Sequence, residues 1–272
     1  MKANSHTTSK WPPRTIRGFE VISFGAGVQS TALAILSVTG RIENPARLAV
    51  FSDAGSEEPA TYEHIEIMRP WLAKRGMELV TIQGRRDGLP LYEYVQTRAT
   101  TIPARFASGA LGRRVCTEDW KANPIRAELR RRGIKSARLQ LGISLDEVHR
   151  MRDSCLGWIA FRYPLVDMGL TRGACREIIL DAGLPVPPKS ACTFCPFQSL
   201  SGWARRAVEQ PAIFEQACRL EAAINRRQAL NGQPSAYLSR ARRPLAEAFG
   251  QQPLLFGDDG SEDETCDGYC FT

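Results

Sequence analysis

Nothing in this sequence approaches the roughly 18 consecutive apolar residues that a membrane-spanning helix needs, so no membrane role is expected. The opening stretch, Met1 to Arg14, is polar and holds prolines but has no apolar h-region. It reads as a disordered lead-in, residues 1–17, and not as a secretory signal. A cytoplasmic location follows from that reading, and cytoplasmic thiols stay reduced. Eight cysteines in such a chain favour metal or redox use over a disulfide framework. The far end lacks positive charge: from Phe249 onward there are six acidic residues and no Lys or Arg. Since the whole chain is at +7, the part before Phe249 carries +13. A basic body suits a polyanion such as nucleic acid or nucleotide, while the acidic tail, residues 251–272, reads as flexible. Compositional bias is also missing: 43% hydrophobic and 24% charged residues are globular values, and 272 residues can bury a full core.

What is present is an alternation of short apolar runs and helical patterns. Phe19 to Ser23, Leu48 to Ser52, Glu78 to Ile82 and Ala137 to Ile143 read as strands. Thr31 to Val38, Glu57 to Lys74, Leu91 to Thr97, Thr117 to Arg132 and Thr171 to Ala182 read as helices. Pro124 is expected to kink or restart the fourth of these. Residues 98–115 read as an irregular, glycine-containing loop, and Ile159 to Val166 as an extended stretch broken by Pro164. Gly202 to Leu230 and Leu238 to Ala248 read as a helical C-terminal extension, residues 201–250. Strands separated by helices imply an α/β fold with a doubly wound, mainly parallel sheet. Ligands of such sheets sit beyond the carboxyl ends of the strands.

Three features fall at those ends. The first is Ser23-Phe24-Gly25-Ala26-Gly27-Val28-Gln29-Ser30, a strand, a glycine turn and a helix start. That arrangement aims backbone N–H groups and a helix N-terminus at an anion, and the Ser23 and Ser30 hydroxyls add donors. The second is Asp53-Ala54-Gly55, where a carboxylate can accept from ribose hydroxyls, hold a metal ion or cap the next helix. The third is Gly142. Basic residues crowd at Arg126, Arg130, Arg131, Arg132, Lys135 and Arg138, and again at Arg226, Arg227, Arg240, Arg242 and Arg243. Each cluster reads either as a polyanion-binding face or as a solvated helix face.

Taken in order, these motifs resemble the adenine nucleotide α-hydrolase (PP-loop) superfamily, in its phosphoadenosine phosphosulfate (PAPS) reductase branch. Ser23 to Ser30 looks like the PP-loop. Phe51-Ser52-Asp53-Ala54-Gly55 with Pro59-x-Thr61-Tyr62 resembles the branch's second nucleotide-contacting turn. Leu141-Gly142-Ile143-Ser144, Asp146-Glu147, Arg150, Tyr163-Pro164-Leu165 and Cys192-x-x-Cys195 continue its order over residues 18–200. The resemblance implies an adenine nucleotide at the strand ends, ATP or else adenylyl sulfate or PAPS, with Ser23, Phe24, Gly25, Ala26, Gly27, Val28, Gln29, Ser30, Asp53, Gly55 and Gly142 around it. The chain departs from the family at Gly25, usually Ser, and at Gln29, where the family carries Asp before its last Ser. Asp146 and Glu147 are therefore candidates to replace the lost carboxylate as Mg²⁺ ligands. Arg114, with Arg105, Arg113, Lys121 and Arg172, is a candidate clamp for phosphate or sulfate.

A C-x-x-C turn places two thiolates on one cation, and one such pair supplies only two ligands. Family members with a [4Fe-4S] cluster add one or two early cysteines. Here that implies Cys116, and Cys175 is the candidate fourth ligand beside Cys192 and Cys195. Structural zinc, no metal and a redox pair stay open beside the cluster. Cys155 and Cys218 read as packed small hydrophobes, and Trp120, Trp158 and Trp203 as core aromatics. Cys266 and Cys270 lie in the acidic tail without the terminal motif of sulfonucleotide reductases.

Three functions follow. One is an ATP pyrophosphatase-like enzyme that adenylates an oxygen of DNA or tRNA so that sulfur can replace it, with a cysteine desulfurase as an implied partner. AMP leaves more readily than oxide, and a positive loop stabilises developing phosphate charge. The second is an adenylyl sulfate or PAPS reductase that releases sulfite. The third is a non-catalytic nucleotide- or cluster-dependent DNA-binding sensor.

Overall fold

In the computed structural model, which describes residues 17–250, β1 (Phe19–Ser23), α1 (Val28–Val38), β2 (Leu48–Asp53), α2 (Pro59–Ala73), β3 (Glu78–Gln83) and α3 (Leu91–Thr97) follow in order. A two-residue strand β4 (Arg105–Phe106) and a short helix α4 (Val115–Thr117) come next. A π-helical turn, Glu118–Ala122, runs from α4 into α5 (Asn123–Arg131). Then come β5 (Ala137–Leu141), a 3₁₀ turn (Leu145–Arg150), β6 (Ile159–Arg162), α6 (Pro164–Asp167) and α7 (Arg172–Asp181). The chain continues through α8 (Leu200–Glu209), α9 (Pro211–Leu230), β7 (Ala236–Tyr237) and α10 (Leu245–Phe249).

Five strands form one sheet in the order β3-β2-β1-β5-β6, and every pairing in it is parallel. This is the expected α/β, doubly wound architecture. Alternate residues of each strand serve opposite faces. Ile22, Ala49, Phe51 and Leu79 pack with α1, α2 and α7. Val21, Leu48, Val50 and Leu139 pack with Ile125 and Leu129 of α5. Burial on both faces explains why β2 reads Leu-Ala-Val-Phe without alternation. The chain leaves β1 toward β2 on one side and returns beside it as β5, so the strand order reverses at β1. In open sheets of this kind, the crevice beyond that point is where ligands bind.

A third apolar cluster unites α3, Trp120, α8, α9 and α10. The helical C-terminal part is therefore present, but its divisions differ from expectation. The stretch 202–230 is two helices broken at Gln210, because the residue before a proline, here Pro211, is driven out of the α region. The same effect before Pro244, with Arg242 at φ +53°, prevents a helix over 238–244 and leaves only α10. Pro164 begins a helical turn instead of interrupting a strand. Within 98–115, Arg105–Phe106 pairs antiparallel with Ala236–Tyr237. Among the described residues no helix is long and apolar enough to cross a membrane.

Candidate functional site

β1 is hydrogen-bonded to β2 on one side and β5 on the other, so the turns that follow all three lie together. The Phe24 N–H is used by the Val50 carbonyl (2.9 Å), which fixes where the glycine turn starts. Phe24, Ala26 and Val28 are buried in the core below the turn, so their side chains anchor it. The Ser30 hydroxyl accepts from the Gly27 N–H (3.2 Å) and donates to the Gly27 carbonyl (3.1 Å), closing the turn on itself. The left-handed residue is Ala26, at φ +56°, and neither neighbouring glycine needs that conformation. What Gly25 and Gly27 provide is clearance. A Cβ on Gly25 would meet only Ser30 Oγ, at 3.9 Å, and one on Gly27 only Ser190 Cβ, at 3.8 Å. The first amides of α1 have no partner within the helix, and no acidic side chain occupies its first turn. The helix start therefore presents an uncompensated positive end.

Asp53 ends β2 almost buried. Its Oδ1 accepts from the Gly55 N–H (2.7 Å) and from the Tyr62 hydroxyl (2.8 Å), while Oδ2 has only a long contact with Gln83 Nε2 (3.5 Å). One oxygen is fixed by the protein, and the other faces a donor at the limit of hydrogen-bond range. Burial, with the neighbouring Asp53 carboxylate, pushes the Tyr62 phenol well above its ordinary value, so Tyr62 stays a donor. Gly55 sits at φ +79°, and a Cβ there would lie 2.8 Å from Pro90 Cβ.

Gly142 has a packing role. A Cβ on it would stand 2.7 Å from the Ser30 amide nitrogen, so the end of β5 presses directly on the first turn of α1. Beside it lies a buried polar network. Gln29 Nε2 donates to Glu147 Oε2 (3.1 Å) and, at 3.4 Å, to Ser144 Oγ; Gln29 Oε1 accepts from Arg172 Nη1 (3.1 Å). Glu147 Oε1 pairs with Arg150 at 2.7 Å. Asp146 accepts from the backbone N–H of Arg172 at the start of α7 (3.1 and 3.2 Å). Burial opposes ionisation of Asp146, but hydrogen bonds from Ser144 and the Arg172 amide outweigh it and hold the carboxyl below its usual value. Both carboxylates expected to replace the lost Mg²⁺ ligand thus already have protein partners. Glu147 locks Gln29, and Asp146 caps α7.

The cysteines divide. Cys116, Cys192 and Cys195 line one cavity with Arg114, Lys121, Lys189, Phe194 and Phe197. Arg114 lies over the Phe197 ring, 5.4 Å from its centroid. Cys175 is elsewhere, fully buried in the core between α1 and α7. Burial first, and the Asp146 carboxylate next, push its thiol up to about 12. The fourth ligand sought at Cys175 is therefore not brought to the other three. Burial also raises the Cys192 thiol well above its ordinary value, with the adjacent Glu57 carboxylate adding to the effect. Among the described residues, no three Cys, His, Asp or Glu side chains are already drawn around a single ion site. Cys155 is exposed and not packed as expected, whereas Cys218 packs against the C-terminal cluster. Cys266 and Cys270 lie outside the described residues.

Glu57 was not apparent as a site residue from the sequence. Its side chain is buried, Oε1 pairs with Lys121 Nζ (2.9 Å) and lies 3.9 Å from Cys192 Sγ, and Oε2 has no partner. Residues 56–58 run antiparallel to 191–193 and bring it there. Arg206, buried, reaches both the Thr193 carbonyl and Glu58 and fastens the same junction. Several expected basic candidates have structural work. Arg126 pairs with Glu118, Arg131 and Arg132 with Glu128, and Arg138 with Glu20. Arg227 donates to the carbonyls of Val95 and Gln96. Trp120 and Trp203 are fully buried, as expected of core aromatics.

The fold and site define an α/β protein with a glycine turn at the strand-order reversal and a cysteine-lined cavity beside it. A search of solved structures returns the U34-tRNA thiolase NcsA from Methanococcus maripaludis with its [4Fe-4S] cluster, at 12% sequence identity and a TM-score of 0.43, over 85% of this chain and 80% of that one. No family model matches, and the curated proteins contain no match.

Proposed function

We propose that this chain binds an adenine nucleotide across the ends of β1, β2 and β5 and uses it in sulfur transfer to a nucleic acid, DNA or tRNA. The observation that carries this reading is the meeting of two sites. The Gly27 turn faces Ser190, and Ser190 lines the cavity that holds Cys116, Cys192 and Cys195. The open amides of α1 suit phosphate, and Asp53 Oδ2 suits a ribose hydroxyl. The nucleotide would adenylate an oxygen of the substrate, turning it into a leaving group with AMP attached.

The cavity fits an iron–sulfur cluster in its donor chemistry. Three thiols share it, and the cations of Arg114, Lys121 and Lys189 can offset the negative charge of a thiolate-bound cluster. Cys116, Cys192 and Cys195 would hold it, and bound there it would supply iron on which sulfur can be carried. Zinc would use the same thiols. Mg²⁺, where required, would arrive with the nucleotide phosphates.

Purified chain is incubated with ATP, Mg²⁺, a sulfide source and either tRNA or duplex DNA. Formation of AMP and pyrophosphate with a sulfur-for-oxygen mass change in one nucleic acid is expected. No ATP cleavage with any nucleic acid would overturn the reading, and sulfite release from adenylyl sulfate with a thiol donor would replace it.

A further inference from the structure

The nucleotide turn and the cysteine loop are joined by one short segment. The Thr193 N–H donates to the Ser56 carbonyl (2.9 Å), and the Glu58 N–H donates to the Ala191 carbonyl (3.2 Å). Between these bonds Glu57 stands opposite Cys192. The segment is also tied back to Asp53. The Tyr62 hydroxyl donates to Asp53 Oδ1 (2.8 Å) and accepts from the Glu57 N–H (3.3 Å). The Glu57 side chain extends the other way, to Lys121 and the Cys192 thiol.

We propose that Tyr62 and Glu57 are positioning residues that couple the two sites, so that a ribose hydroxyl on Asp53 tightens the backbone bridge holding Cys192. The inference rests on the nucleotide reading of Asp53 given above. A donor on Oδ2 fixes the rotation of the carboxylate. Oδ1 then holds the Tyr62 hydroxyl in one orientation, with its lone pairs toward the Glu57 amide. Residues 56–58 lose their alternative positions, and the bonds to 191–193 open less often. Coupling of this kind acts equally in both directions, so an ion on the thiols strengthens nucleotide binding by the factor by which the nucleotide strengthens ion binding. A contiguous chain of contacts is only a route, so the test must break it at one atom.

Tyr62→Phe does this, because it keeps the ring and removes the hydroxyl. Hydrogen exchange at the Thr193 and Glu58 amides is measured on the full chain with and without saturating ATP, and ATP binding is measured separately by calorimetry. In the unmodified chain ATP is expected to slow both amides by about fivefold or more, in the ordinary range of coupling between sites. In Tyr62→Phe, ATP still binds and the slowing disappears. Equal slowing in the variant would overturn the route through Tyr62, since direct shielding by the nucleotide would survive the substitution. ATP binding without any slowing in the unmodified chain would overturn the coupling itself. No ATP binding to the unmodified chain would instead remove the nucleotide reading on which the inference stands. Should Tyr62→Phe fail to fold or bind ATP, the unmodified chain titrated with Zn²⁺ decides. Its ATP affinity must rise once Zn²⁺ occupies the thiols, and an unchanged affinity overturns the proposal.

Discussion

Glu57 and Cys192 face each other across an isolated antiparallel bridge although 135 residues separate them in sequence. Cys192 sits with Cys116 and Cys195 in one cavity, and Cys175 lies in a separate core. Cys116→Ser, Cys192→Ser and Cys195→Ser are each expected to lose bound iron or zinc, measured by metal analysis and visible absorbance after anaerobic purification. Cys175→Ser should keep the metal and instead lose roughly 1–3 kcal/mol of stability, the cost of a poorly satisfied hydroxyl in an apolar core. Metal loss in Cys175→Ser with retention in Cys116→Ser would reverse this assignment.

Gly142→Ala tests the contact between β5 and α1. The new methyl would arrive 2.7 Å from the Ser30 amide nitrogen, a backbone atom that cannot swing aside. Overpacking of this sort costs about 1–3 kcal/mol. The displaced helix start should also weaken ATP binding, read by calorimetry. A variant with unchanged melting temperature and unchanged affinity would show that the helix start does not depend on this approach.

Much of the fold was legible because its signals are local. The four strands read from sequence lie within two residues of their observed bounds, since each is a short apolar run. β6 was foreseen only as an extended stretch broken at Pro164. Strand ends that carry Gly25, Asp53 and Gly142 do converge, as a parallel sheet requires. The errors came from proline and from long-range pairing. Pro211 splits one helical pattern at Gln210, and Pro244 confines the other to α10, a signal that was present but outweighed by periodicity. Asp146 and Glu147 read as candidate metal ligands because the Arg172 amide and Gln29 are brought to them only by the fold, although Arg150, a local partner of Glu147, was visible. The basic run from Arg126 to Arg138 read either as a binding face or as a solvated one, and Glu118, Glu78, Glu128 and Glu20 neutralise part of it. Tyr62 stands in the Pro59-x-Thr61-Tyr62 stretch after the Asp53 turn, yet nothing local reveals that its hydroxyl joins Asp53 to the Glu57 amide.

Glu221 gives the protein a pH dependence near neutrality. Its carboxyl is buried and pushed up to about 7, chiefly by desolvation, although it accepts from the Leu238 and Leu245 amides (2.8 and 2.7 Å). A carboxyl whose folded value lies above its unfolded one favours the folded state when protonated. Its contribution is fully present below the ordinary carboxyl value of 4.5 and is lost as pH rises through about 7. The span corresponds to a contribution on the order of 3 kcal/mol. Urea unfolding at pH 5 and pH 8 should therefore show a fall in stability that Glu221→Gln flattens. Equal pH slopes in the two chains would remove Glu221 as the cause.

Gln29 stands where the resembled family carries an acid, and both ends of its amide are engaged, by Glu147 and Ser144 on one side and Arg172 on the other. Gln29→Leu keeps the volume but leaves the buried Glu147 Oε2 without its donor and Arg172 Nη1 without that acceptor. Each buried unpaired group costs about 1–3 kcal/mol, and Arg172 is only half-buried, so the variant should lose roughly 2–4 kcal/mol in urea unfolding. Because Gln29 and Glu147 share one network, Gln29→Leu combined with Glu147→Gln should cost less than the two single losses together, by about 0.5 kcal/mol or more. Strict additivity would mean that the Gln29–Glu147 hydrogen bond contributes nothing, and that the first turn of α1 is held in place by Gly142 and the core side chains alone.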